Sequence, residues 1–430
     1  MQRDFIIAGL EWRSNWKIAN GKDSFVVPFP TLRPVTIVFH GEDKFDYGHY
    51  GIHLGQADVL TFLGPSDREI TGLFIDCRAE SPTARKREVR TWKPTSGEAL
   101  YIPPGVAHAF EDLEGVHTLN TYELFLPEPE KWVNDDVEWR IEADVINLPM
   151  NIKDADIPIF SQNRLRASDV WYQLVAEQQR KAIPELDHEY PVTQDVRLND
   201  GEKVRVELRK KRDMITTKQW EPIEGIEGVG WVANAVLWSG ANSGFVPLLD
   251  PRPLYFIDHG EHDYTHDASG IHLGQEDRLT FVGPSDHEVT LVLLDTRQGS
   301  PTLHNEVLTT FTPSALRHLK IPNGVAHRFE HLECVFTFNR PHVSLPEQGD
   351  YEPGNDVIDW PIGKLPPPVL EVYRQPAPLE FYQRQVAAQR ELMLEPAMHA
   401  TPTVIMTESA DGGIVRVAFR KPSATAASTA

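Results

Sequence analysis

Two histidines recur in each half of this sequence in matched surroundings. His53 and His272 sit in GIHLGQ, and His108 and His327 end GVAH. Imidazole titrates near neutrality, so such side chains can remove or deliver a proton at physiological pH. Gln56 and Gln275 close the first motif, and Asn120 and Asn339 recur on a later segment. Arg78 and Arg297 recur in D-x-R-x-x-SPT. A lone histidine in a β-sandwich is ordinarily a hydrogen-bonded structural residue. Two per half, each at a repeated position, ask for another reason. A zinc or iron site needs three protein ligands in register, and GIHLGQ supplies only one histidine. The reading is therefore no metal and no cofactor. If a metal is held, His53 and His108 with His40 are the expected ligands, His49 and His117 being other candidates for the third place. His49 and His53 have helical metal-pair spacing, but their glycine-rich neighbours argue against a helix.

These pairs belong to an internal duplication. HGEDKFDYGHYGIHLGQADVLTFLGPSD begins at His40 and HGEHDYTHDASGIHLGQEDRLTFVGPSD at His259, an offset of 259 − 40 = 219. The offset carries Asp76 to Asp295 and Pro127 to Pro346. Two copies are expected, over residues 1–214 and 215–422, with a disordered tail at 423–430. Short β-rich runs (VTIVF, DVLTFL, ITGLFIDC, EALYI, HTLNTYELF; then LYFID, RLTFV, VTLVLLD, LKI, VFTFN) alternate with turn signals such as GPSD and PPG. They predict a mainly β antiparallel sandwich or barrel. One helix per copy follows, SDVWYQLVAEQQRKA with Ser168 or Asp169 as N-cap and PLEFYQRQVAAQREL. A hairpin closes each copy, at Asn199-Asp200-Gly201 and Asp411-Gly412-Gly413.

Composition removes other classes. With 42 Lys+Arg against 63 Asp+Glu the net charge is −21, which opposes nucleic acid and anionic membrane surfaces. Two cysteines, Cys77 and Cys334, make no disulfide framework, and no apolar run approaches the ~20 residues of a membrane helix. The N-terminal segment carries charges and tryptophans where a signal peptide would be apolar. A cytoplasmic protein is expected. Trp132, Trp139 and Trp360 read as packing residues, RKKRDM from Arg209 as a solvated linker, and the acidic turns near Asn134 and Asn355 as solvated loops.

Gly97-x5-Pro103-x-Gly105-x2-His108 resembles the second signature of the cupin superfamily of jelly-roll barrels. The second copy keeps Pro322-x-Gly324-x2-His327 without the leading glycine. More specifically, GIHLGQ, FIDCRAESPT, LYIPPGVAHAF and LPEPE resemble the dTDP-4-dehydrorhamnose 3,5-epimerases, and GIHLGQ, LLDTRQGSPT, LKIPNGVAHRF and LPEQG repeat the order. The resemblance implies two tandem cupin domains and a metal-free epimerisation next to the ketone of a nucleotide-linked deoxysugar. It places the base at His53 and His272 and pocket histidines at His108 and His327. Asp154 in NIKDADIP matches the aspartate that orients the base. The second copy reads IGKLPPPVLEVY there and is expected to be degenerate.

The chain departs from the family at two points. The phosphate-gripping arginine is replaced by Tyr50-Gly51 and Ser269-Gly270, and the tyrosine acid by Leu119 and Phe338. Tyr122 lies nearby, but three residues along a strand it should face the other way. The expected activity is a sugar-directed isomerase or epimerase with His53 and Asp154 as catalytic pair. Substrate contacts are expected from His108, Gln56, Arg78, Asn120, His272, His327, Gln275 and Asn339. The partner is a small sugar or sugar nucleotide, and the fused copies form an intramolecular pseudo-dimer, with a further homodimer left open. The alternatives are a non-catalytic sugar-binding or structural bicupin and a metal-dependent bicupin, a dioxygenase or decarboxylase.

Overall fold

Apolar side chains at every second position demand a partner layer, and the chain supplies it as paired antiparallel sheets. The computed structural model describes residues 4–19, 24–127, 145–186, 189–197, 203–211, 219–240, 242–347, 351, 356–394, 402–408 and 414–420. Trp132, Trp139, Asn134, Asn355, Met214, the two hairpin tips and the tail lie outside the described residues.

The first compact unit comprises Met1–Asn15, Arg33–Thr216 and Ala235–Leu249. One sheet runs Glu11–Ser14, Glu98–Ile102, Gln56–Leu63, His117–Asn120, Val35–Phe39, Gly244–Leu248, Leu237–Trp238, and Glu123–Leu126 also pairs with Gln56–Leu63. The facing sheet runs Val145–Pro149, His49–His53, Val106–Glu111, Ile70–Asp76, Arg87–Trp92. The core between them holds Leu60, Phe62, Phe74, Leu100 and Phe110, with Trp92 against it. Each fully buried large side chain is worth about 1.5–3 kcal/mol. Edge-to-face rings add to this, Phe62 lying 5.3 Å from both Phe110 and Trp92.

The second unit comprises Trp16–Leu32, Thr217–Asn234 and Asp250–Ala430. Its larger sheet runs Trp220–Pro222, Gly230–Ala233, Ser314–Ile321, Gln275–Val282, Phe336–Asn339, Leu254–Asp258, Phe25–Phe29, Ile18–Ala19. Its five-stranded sheet runs Glu306–Phe311, Val289–Asp295, Val325–Glu330, Ala268–His272, Val357–Pro361. Register repeats residue for residue: His117 pairs Leu63 as Phe336 pairs Val282, and Val106 pairs Asp76 as Val325 pairs Asp295. The protein is mainly β, two units each built of facing antiparallel sheets.

A single cut near residue 214 does not separate these units. Gly244–Leu248 pairs with Val35–Phe39 inside the first unit, and Phe25–Phe29 pairs with Leu254–Asp258 inside the second. Each repeat thus lends a strand segment to the other's sheet. One helix follows each sandwich, Asp169–Leu186 and Leu379–Leu394. The Ser168 carbonyl accepts from Trp171 N, which places Ser168 at the N-cap. Arg209–Lys211 of the expected linker extend the strand Lys203–Lys211, paired to Glu189–Arg197. Among the described residues no helix is long and apolar enough to cross a membrane.

Candidate functional site

His53 ends the strand His49–His53, and His108 lies on the neighbouring Val106–Glu111. His108 pairs Gly51, so the residue two positions on, His53, projects from the same face. Gly105 ties the two together. Its φ of +82° suits glycine, a Cβ there would meet Arg78 Cγ at 2.6 Å, and its N–H donates to the His53 carbonyl at 2.7 Å. Gly324 repeats this with φ +78°, Arg297 and His272. The glycine of the P-x-G-x2-H spacing therefore aims both histidines.

The opposite sheet supplies the third member, Asp58 on Gln56–Leu63, which sequence reasoning missed. Its Oδ2 lies 3.1 Å from His108 Nε2 and 3.7 Å from His53 Nε2. Its Oδ1 accepts from Gln56 Nε2 at 2.7 Å and Asn120 Nδ2 at 2.9 Å. His108 Nδ1 donates to the Val106 carbonyl at 3.1 Å, so its Nε2 points at the carboxylate. Burial alone would raise the Asp58 pKa. The electrostatic interaction with the His53 ring, with hydrogen bonds from His108 and Asn120, outweighs it and holds the carboxyl well below its usual range.

The second unit repeats the constellation. Asp277 Oδ2 lies 3.3 Å from His327 Nε2 and 3.7 Å from His272 Nε2, while Gln275 at 2.6 Å and Asn339 at 2.8 Å hold Oδ1. The signal was present in the sequence: Asp58 and Asp277 share the offset of 219, and each stands two residues after the repeated glutamine of GIHLGQ.

In the first unit the histidines open on a cavity of about 550 Å³. Tyr122, Leu124 and Phe110 line it, with Trp238 and Phe245 from the strand segment lent by the second repeat. Tyr122 faces this cavity: Thr118, Asn120, Tyr122 and Leu124 line it at every second position, so the parity counted from Leu119 holds and it is Leu119, 0% exposed, that turns into the core.

Several expected roles do not match the placement. Asp154 lies on an exposed 3-10 turn, its Oδ1 2.6 Å from Arg87 Nε, and is no partner for the base. Arg78 is buried, its guanidinium on Asp76 at 2.8 Å and its Nη2 on the Ala8 carbonyl, a structural clamp rather than a substrate contact. Arg297 clamps Asp295 in the same way. Gln56, Asn120, Gln275 and Asn339 hold the buried carboxylates. His40 is not a third histidine of the cluster: its Nδ1 donates to the Val116 carbonyl at 2.8 Å, and burial lowers its pKa to about 4. The second repeat is not short of a dyad. Asp356, expected in a solvated turn, is 2% exposed and lies 3.9 Å from His272 Nδ1.

The ligand atoms of His53, Asp58 and His108 lie within 4.8 Å of one another, as do those of His272, Asp277 and His327. Either set can take up a proton or, as two imidazoles and a carboxylate, a divalent cation.

Residues 52–162 match the family model of dTDP-4-dehydrorhamnose 3,5-epimerase. Over those residues the chain resembles that family. No curated protein matches it in sequence. Among solved structures, RmlC from Streptococcus suis in complex with dTDP-D-xylose is 15% identical, with 33% of this chain and 75% of that one covered and a TM-score of 0.21. The 4-keto-6-deoxy sugar epimerase NovW from Streptomyces spheroides is 19% identical over 41% and 92%, at a TM-score of 0.23. The oxalate decarboxylase formate complex from Lactobacillus farciminis is 9% identical over 79% and 88%, also at 0.23.

Proposed function

We propose that this protein is a carbohydrate-directed isomerase or epimerase that moves a proton on a carbon next to a ketone, its substrate a keto sugar or sugar nucleotide. The observation that carries the reading is one buried carboxylate shared by two imidazoles at the wall of a cavity. His53 is the base. As it takes the proton, imidazolium charge develops 3.7 Å from Asp58, which stabilises it. The C–H electron pair becomes the enolate double bond and the carbonyl pair moves to oxygen. His108, when protonated on both ring nitrogens, can donate from Nε2 toward that oxygen. Tyr122, which lines the same cavity, is the group to return a proton from the other face, in place of the tyrosine missing at Leu119. Asp58 takes the orienting role expected of Asp154. Trp238 and Phe245 offer apolar walls to the rest of the substrate.

The test is solvent exchange in D₂O. Deuterium entering carbons next to the ketone of 4-keto-6-deoxy sugar nucleotides, and lost with the site histidines, supports the reading. No exchange with any keto sugar favours a binding protein.

The same three side chains favour a second reading, a metal-dependent bicupin. Nitrogen–oxygen separations of 3.1 and 3.7 Å are close to those of ligands held about 2.1 Å from a common ion. In that case His53 would be a ligand and not a base, and exchange would stop on chelation.

A further inference from the structure

We infer that the second repeat holds its own proton-transfer site, in which Asp356 positions His272 as the base toward a carbonyl compound with an acidic neighbouring C–H. The inference rests on the epimerase reading above and contradicts the degenerate second copy expected from the missing counterpart of Asp154.

The two clusters agree in detail. The side chains of His53 and His272 are 17% and 18% exposed, and those of His108 and His327 both 12%. The paired rings stand 5.9 Å apart in each unit. A purely structural copy has no need to keep a buried carboxylate between two imidazoles, because burying ionisable groups costs free energy that apolar side chains would not. Other cavity positions did change, Tyr122 becoming Pro341.

His272 also has carboxylates on both sides of its ring. Asp277 lies 3.7 Å from Nε2 and Asp356 3.9 Å from Nδ1. Asp356 is itself fixed, Oδ2 accepting from Gly274 N at 2.9 Å and Oδ1 from the Tyr351 hydroxyl at 3.3 Å. Two backbone bonds set this up: Leu273 N donates to the Asp356 carbonyl, and Gly324 N to the His272 carbonyl. A carboxylate beside Nδ1 and the Gln275 amide nitrogen 3.5 Å from Nε2, donating to it, together favour the Nδ1–H tautomer and leave the Nε2 lone pair to accept a proton. The charged and titratable groups around the ring are Asp277, Asp356, Asp359 and His327. Burial works against the imidazolium, yet Asp277 and Asp356 outweigh it, so His272 titrates above the ordinary histidine value.

In the reaction His272 Nε2 takes the proton. The C–H pair forms the enolate double bond while the carbonyl pair moves to oxygen, and the imidazolium returns a proton to the same carbon. No oxidant or reductant is needed. With Pro341 in the place of Tyr122, a proton comes back to the face it left. The second site should therefore wash solvent deuterium into the substrate with retention, while the first site inverts.

The experiment compares His53→Ala, His272→Ala, the double variant and Asp356→Asn in the His53→Ala background, in D₂O with 4-keto-6-deoxy sugar nucleotides. His53→Ala should keep exchange within about tenfold of wild type while losing the epimer, and the double variant should lose about 100-fold or more. Asp356→Asn should cut the residual exchange and move its pH profile, and the His272 Cε1–H titration, down by about one unit or more. A merely structural aspartate could move that midpoint by its charge but would leave the plateau of the residual exchange rate in place. If wild type exchanges and His53→Ala abolishes everything, or the His272 midpoint ignores Asp356→Asn, the inference fails alone. A wild type that exchanges nothing overturns both readings.

Discussion

Replacing Asp58 by Asn isolates charge from shape. The Asn oxygen can still accept from Gln56 Nε2 and Asn120 Nδ2, so the polar clamp survives and the strand Gln56–Leu63 keeps its pairing. What disappears is the negative charge 3.7 Å from His53 Nε2. At an effective dielectric of about 20, unit charges at that separation attract by about 4 kcal/mol. If roughly half of the imidazolium charge has developed at the transition state, about 2 kcal/mol is lost there, or about 30-fold in rate. The assay is deuterium wash-in at saturating keto sugar, run in the His272→Ala background so that only the first site is read. Rate should fall by about that factor with little change in KM, since Asp58 holds the base rather than the substrate. An unchanged rate, in protein whose urea midpoint matches the parent, would refute the role given to this carboxylate.

Other outcomes follow from the same geometry. Arg78→Ala strands Asp76, which is 0% exposed, and should cost about 3–5 kcal/mol of stability, read as a lower urea midpoint; a rise in KM at unchanged stability would restore the substrate-contact role. His40 is buried as the neutral imidazole with its pKa lowered to about 4, and burial likewise lowers His259 to about 3. The unfolded chain binds protons near pH 6.5 that these sites refuse, so stability is intact above that pH and falls as pH drops toward 4. Each contributes about 2 kcal/mol of loss by pH 5, measurable as urea midpoints at pH 7 and pH 5; equal midpoints would contradict it. Chelator-treated protein should keep its exchange rate. Loss on chelation with recovery on adding a divalent cation would move the cluster to the metal reading.

Much of the fold could be read because it is written in short-range periodicity. VTIVF, EALYI, LYFID and VTLVLLD are strands over the same residues in the structure. Both helices follow from their apolar spacing. Exchange of Trp16–Leu32 and Ala235–Leu249 could not be read, because alternation states that a strand has a buried face and not which sheet it joins. The site was half legible. Repeated histidines stood out by type, whereas Asp58 and Asp277 sat inside strands read for their apolar residues. Asp154 drew the eye through a motif, yet its turn is exposed. Tyr122 was set aside because Leu119 was taken as the cavity-facing position, whereas the alternate residues Thr118, Asn120 and Tyr122 line the cavity. Asp356 was hidden because acidic turns are usually solvated, and only tertiary packing reveals one that is 2% exposed.

Proton exchange read by NMR in D₂O, on protein of known metal content with keto sugar nucleotides, tests the central claim most directly. Wild type should incorporate deuterium next to the ketone, and the His53→Ala/His272→Ala double variant, folded by its urea midpoint, should not. Exchange that survives in the double variant would contradict histidine as the base.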